Sequence, residues 1–232
     1  MKKLLILGIV MSLVGCTPRL RVTQTLDYLP QFGAINKDTP PKFSPLVILS
    51  TMKGKRFCSG TVVDNSYILT AAHCLIDEEG FMKKDEIKLL DDHGRDTGVV
   101  GLPAAVNIML DYGLIKADLR EFEFIFMNTQ QPAFDFTKHN YVACGFPGGQ
   151  IEAVCVPVGN VLPTDFFYTG FGAVIPGMSG GPLMIIDNPE NPIVVGVISA
   201  VQASPDPSRQ PANLVFSSIL GLLGDFELDR AK

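Results

Sequence analysis

The chain has 232 residues, 47% of them hydrophobic, and a formal charge of −5 at pH 7. That acidic balance disfavours nucleic-acid binding, which needs a basic face. No C-x-x-C, no H-E-x-x-H and no P-loop occurs, so no metal and no cofactor is expected.

Met1-Lys2-Lys3 followed by apolar Leu4 to Gly15 has the basic head and short hydrophobic segment of a secretory signal. Twelve residues, Leu4 to Gly15, are too few to cross a hydrocarbon layer of about 30 Å, which takes around 20 in a helix. Export is therefore expected, with residues 1–15 removed. Loss of Lys2 and Lys3 leaves 17 basic against 24 acidic residues, a formal charge of −7. Residues 16–44 carry Pro18, Pro30, Pro40 and Pro41 among polar residues and read as a tether.

From residue 45 onward, short β-prone runs alternate with turn signals. Leu46 to Met52, Gly60 to Val63, Tyr67 to Thr70, Tyr141 to Ala143, Ala153 to Val158, Leu183 to Ile186 and Ile193 to Val201 are predicted strands. Phe122, Phe124 and Phe126 alternate like a strand within a stretch that is otherwise hard to place. A helical pattern appears only near Ser218 to Leu228, giving a short C-terminal helix before a tail at 226–232. The fold class is all-β.

Gly177-Met178-Ser179-Gly180-Gly181-Pro182 sets a serine among glycines, which presents a hydroxyl beside main-chain amides. Read as G-x-S-x-G it would be a hydrolase elbow, whose histidine follows the serine. No histidine follows His139, so the base lies upstream, among His73, His93 and His139. His73 ends the apolar run Ser66 to Ala72, whereas His93 and His139 stand in polar turns.

Thr70-Ala71-Ala72-His73-Cys74 together with Gly177 to Pro182 resembles the trypsin/chymotrypsin-like serine peptidases, over about residues 45 to 225. The resemblance implies two Greek-key β-barrels, about 45–118 and 136–225, with the site between them. The family order is histidine, aspartate, serine. Asp111, which opens Asp111-Tyr112-Gly113-Leu114-Ile115, is similar to the family's aspartate, with Asp118 second and Asp91, Asp92 and Asp96 in a charged turn. In that chemistry Ser179 attacks the carbonyl, His73 takes its proton, Asp111 fixes the ring, and the N–H groups of Gly177 and Ser179 bind the oxyanion. Activity is then expected to rise as His73 deprotonates.

Setting Cys16 aside, Cys58, Cys74, Cys144 and Cys155 form an even set suited to an oxidising envelope. The resemblance implies a bridge from Cys58 to Cys74. Cys144 and Cys155 flank the turn Gly145 to Gln150, as a cross-strand link or as two buried thiols. Leu13-Val14-Gly15-Cys16 resembles a bacterial lipobox, which implies a lipidated Cys16 and an envelope lipoprotein, with Thr17 similar to the outer-membrane sorting class.

Ala173 stands where trypsins carry the aspartate that selects basic residues, and Ile198 where glutamyl endopeptidases carry a histidine. With Ser199 and Val201, Ala173 is expected to line a shallow pocket for small or medium apolar side chains. Met178 replaces the aspartate of zymogen-type members, so activation by a new N-terminus is not expected. Asp77-Glu78-Glu79 reads as a solvated turn. The expected function is an envelope-tethered serine endopeptidase acting on proteins or peptides. The competing reading is a catalytically silent lipoprotein of the same fold that binds a partner in its crevice.

Overall fold

The computed structural model describes residues 43–127, 136–148, 150–163, 167–172, 176–202 and 212–219. Strands β1 (Leu46–Thr51), β2 (Arg56–Val62), β3 (Tyr67–Thr70), β4 (Ile87–Leu90), β5 (Asp96–Asn107) and β6 (Tyr112–Lys116) close into a barrel in the order β1-β2-β3-β6-β5-β4. One short helix, α1 (Ala72–Leu75), interrupts this unit directly after β3.

The second unit holds β8 (Tyr141–Gly145), β9 (Val154–Pro163), β10 (Phe167–Gly172), β11 (Pro182–Ile185), β12 (Ile193–Gln202) and β13 (Ala212–Ser218). Their order is β11-β8-β9-β10-β13-β12, and an additional β11–β12 pairing joins the ends of the sheet. Both units therefore repeat one connectivity: three consecutive strands, then the sixth, fifth and fourth. This is the two-barrel fold that the resemblance implies.

Strand β7 (Phe126–Met127) pairs in parallel with Ile193 and Val194 on the outer side of β12. The phenylalanine alternation ahead of it thus has two destinations. Phe122 is fully buried, its ring 5.0 Å from that of Phe43, while Phe124 and Phe126 are exposed and meet edge to face at 5.5 Å. The connection first clasps the barrel, through Phe43 N–H to Glu121 O and Ile125 N–H to Val62 O, and then joins the second sheet.

Several strands of the second unit are buried on both faces, which explains their unbroken apolar runs. Tyr141 and Ala143 of β8, Leu183 and Ile185 of β11, and Val195 and Ile198 of β12 belong to that unit's own core. The intervening Val142, Cys144, Met184, Val194 and Val197 join a cluster that continues into Leu46, Ile48, Leu69 and Ile115 of the first barrel. Two-residue periodicity sends alternate side chains to opposite faces. Full burial of each such aliphatic group stabilises by about 1.5–3 kcal/mol.

Both disulfides are present, Cys58–Cys74 and Cys144–Cys155. The second joins directly opposed residues of β8 and β9, so it is a cross-strand link and not a pair of free thiols. Ser218, expected to begin a helix, is the last residue of β13; Ile219 follows it, buried and outside any element, and residues 220–228 lie outside the described residues. So do residues 1–42, including Cys16.

Candidate active site

His73 sits on α1, and small residues put it there. Ala71 is extended, and Ala71 and Ala72 are fully buried, so β3 passes into the helix without a bulky side chain in the way. The Cys58–Cys74 bridge then ties α1 to β2. The imidazole remains 42% exposed.

Behind the ring stands Asp111, ahead of β6 and in the left-handed region at φ 47°. Aspartate tolerates that conformation better than most residues, and such strain is common at functional sites. His73 Nδ1 lies 2.9 Å from Asp111 Oδ2 and 3.1 Å from Oδ1, and the His73 main-chain N–H donates to Oδ1 at 2.9 Å. An ionised carboxylate can only accept, so the proton of a neutral ring resides on Nδ1. The Nε2 lone pair is then free to act as a base.

Two serines of the second unit reach across to the same aspartate. The Ser199 hydroxyl donates to Asp111 Oδ2 at 2.5 Å, and the Ser217 hydroxyl donates to Asp111 O at 3.2 Å. Ser199 falls in a register shift between Ile198 and Ala200 where β12 pairs with β13. A bulge of this kind re-aims a side chain out of the regular alternation. Burial pushes the Asp111 carboxyl up, but the hydrogen bonds from the His73 ring, the Ser199 hydroxyl and the His73 N–H outweigh it and hold the group below the ordinary carboxylate range.

The serine turn is anchored at nearly every carbonyl. Pro176 O accepts from Gly148 N–H at 2.6 Å, Gly177 O from the Ser59 hydroxyl at 3.0 Å, Met178 O from Gly181 N–H at 3.0 Å and Ser179 O from Ser59 N–H at 2.8 Å. In a trans peptide the N–H points opposite to the C=O. Fixing Pro176 O and Met178 O therefore directs Gly177 N–H and Ser179 N–H away from those anchors. Gly177 at φ 100° and Gly180 at φ 84° take conformations that side chains rarely adopt. A Cβ on Gly180 would also collide with Thr70 Oγ1 and Ser59 O and come within 3.1 Å of Ala71 N. Gly180 thus seats the half-buried Ser179 beside the end of β3, three residues before His73. Among the described residues the Ser179 hydroxyl has no hydrogen-bond partner within 3.5 Å, His73 included. Such contacts are often long until substrate closes the site.

The family model described as a trypsin-like peptidase domain matches residues 58–197. The chain belongs to the trypsin-like peptidase family. A search of curated proteins finds no match. For a trypsin-like peptidase domain the expected ligand is a protein or peptide, and the chemistry is hydrolase chemistry of the peptidase type.

The remaining candidates fall outside this constellation. Asp118 pairs with Arg120, and Asp91 is buried under Arg95. His93 is exposed, 3.8 Å from Asp92, and His139 pairs with Asp187 at 2.5 Å. Asp77 folds its own turn by accepting the N–H groups of Glu79 and Phe81. Ala173 lies outside the described residues, as does the Val201 side chain, while Ala200 is exposed. Ser199, expected to line the specificity pocket, donates its hydroxyl to Asp111. Ser59 was missed by sequence reasoning. Its hydroxyl bridges Gly177 O and Phe146 N–H, the latter at 2.9 Å, and a buried serine in the apolar run of β2 was the available signal.

Proposed function

We propose that the chain is a serine endopeptidase working through Ser179, His73 and Asp111. The observation that carries this reading is the Nδ1 to Asp111 pairing, which commits Nε2 to act as a base on a solvent-accessible ring. In this mechanism His73 Nε2 takes the Ser179 proton as Oγ attacks the scissile carbonyl. Asp111 stabilises the imidazolium, which then protonates the leaving amine. The acyl-enzyme is released by water through the same steps in reverse. The N–H groups of Gly177 and Ser179 hold the oxyanion, each donor being worth about 3 kcal/mol in the transition state.

Met178 is fully buried, its backbone and Cβ packed against Gly145, and it has no charge to receive a freed N-terminus. The turn is held instead by the Ser59, Gly148 and Gly181 hydrogen bonds, so the enzyme needs no cleavage to be competent. The leader and Cys16 support export and lipid anchoring in a bacterial envelope, on the periplasmic side of the outer membrane. Acceptance of small or medium apolar residues before the cleaved bond rests on Ala173 and Val201.

The experiment is mapping of new N-termini among envelope proteins exposed to wild type or to Ser179→Ala. Cleavages present only with wild type are expected, after small or medium apolar residues. Identical maps would favour the silent binding lipoprotein.

A further inference from the structure

A cavity of about 230 Å³ opens beside the serine turn, walled in part by Phe57, Cys58, Phe146, Gly148 and Gly177, with Arg56 among its lining residues. Two cations flank its Phe57. Arg56 Nη1 donates to Gln150 O at 3.4 Å, and Nη2 lies 2.9 Å from where a Cβ on Gly94 would stand, so the guanidinium is wedged between two turns. Lys83 Nζ lies 5.4 Å from the centroid of the Phe57 ring and donates to Cys74 O at 3.0 Å. Neither cation has a carboxylate within 4.0 Å among the described residues. In a chain with a formal charge of −5, one cation in the cavity lining and a second over its Phe57 ring are a local reversal of sign.

The position of the cavity decides which half of a substrate reaches it. The imidazolium must protonate the leaving amine, so the leaving group lies on the His73 side of Ser179. Cys74, next to His73, is bridged to Cys58 in the cavity wall, and Gly177 of the serine turn also lines the cavity. Among the described residues none of β12, the strand of Ser199 and Val201 that are expected to line the pocket before the cleaved bond, lines this space.

We infer that the cavity receives a side chain from the leaving-group half of a peptide substrate, within the first two residues after the cleaved bond, and that Arg56 with Lys83 selects a carboxylate there. The inference rests on the peptidase reading and adds a substrate class to it. The aromatic and disulfide walls suit the methylene stem of aspartate or glutamate. The guanidinium offers paired donors to its head.

The test uses the full chain and two readouts. Wild type is acylated with a nitrophenyl ester, and the acyl group is captured by Ala-Asp-amide, Asp-Ala-amide, Ala-Ala-amide or Ala-Lys-amide in competition with water. One of the acidic amides is expected to capture roughly tenfold more than Ala-Ala-amide, the usual scale for a hydrogen bond to a charged group. In Arg56→Gln/Lys83→Gln that advantage falls to within about twofold, and Arg56→Glu turns the preference toward Ala-Lys-amide, a reversal that unfolding cannot produce. Failure of the peptidase reading shows separately, as no acyl-enzyme with any ester. The cavity is then read from binding of the same amides to Ser179→Ala by NMR titration, with the same ranking expected. Equal capture or binding of acidic and neutral amides, or a preference unchanged by the double substitution, overturns the inference.

Discussion

Ser199 and Asp111 are joined by a 2.5 Å hydrogen bond that crosses from the second unit to the carboxylate behind His73. The barrels are thus locked together at the group that orients the imidazole. Removing the hydroxyl in Ser199→Ala takes one donor from Asp111, and its carboxyl is expected to titrate higher. We expect kcat/KM to fall about tenfold, mostly in kcat, because a misoriented ring weakens the transition state more than substrate binding. Steady-state kinetics on a peptide substrate checks this. An unchanged kcat with a raised KM would return Ser199 to the specificity pocket.

Asp111 also links stability to pH. Its folded-state carboxyl is held below the ordinary range, so the stabilisation is fully present above the unfolded value of about 3.9 and is lost as pH falls through the folded value. Wild type is expected to melt higher than Asp111→Asn near neutral pH, with the gap closing in acid. Thermal melts of both proteins across the acid range provide the measurement. A gap independent of pH would show that the carboxylate charge does not contribute.

Ser59 holds two main-chain groups at once, Gly177 O and Phe146 N–H, from a site only 1% exposed. Ser59→Ala leaves both without that partner. A loss of about 1–3 kcal/mol in unfolding free energy is expected from the unsatisfied groups. The larger effect is expected on kcat, since Gly177 N–H belongs to the turn that Ser59 anchors. Urea unfolding and kinetics on the same sample separate the two.

Much of this was legible in the sequence. The strands read there are short, bounded by turn residues and rich in Val, Ile and Leu, and β1, β2, β3, β8, β9, β11 and β12 overlap them. Among the elements that were missed, β5 contains Gly98, Gly101 and Pro103, and β10 contains Gly170 and Gly172. Glycine and proline weaken a strand reading, though a barrel can hold them at bulges. His73, Asp111 and Ser179 were named from local motifs. The positioning roles of Ser59, Ser199 and Ser217 were not, because each acts through a partner at least 87 residues away in the chain.

Met178 is 0% exposed, so an aspartate in its place would be buried. Met178→Asp should destabilise by roughly 3 kcal/mol or more, the usual effect of an unpaired buried charge. Met178→Leu conserves volume and should cost less than about 1.5 kcal/mol. Chemical denaturation of the two variants tests the pair. A well-tolerated aspartate would mean that a cation reaches the turn after all.

The Cys58–Cys74 bridge spans 16 residues and includes His73 within its loop. Replacing both cysteines by alanine is expected to cost about 3 kcal/mol by loop-closure entropy. Activity should fall further than stability explains, since α1 loses its tie to β2. Activity measured well below the melting temperature distinguishes the two effects.

The most direct measurement is intact-mass and peptide mapping of the full chain after treatment with a fluorophosphonate, which reacts with an activated serine hydroxyl. The expected result is one adduct, on Ser179, abolished in Ser179→Ala and strongly slowed in His73→Ala. An unlabelled wild-type chain, or an adduct that persists in Ser179→Ala, would contradict the assignment of Ser179 as the nucleophile and His73 as its base.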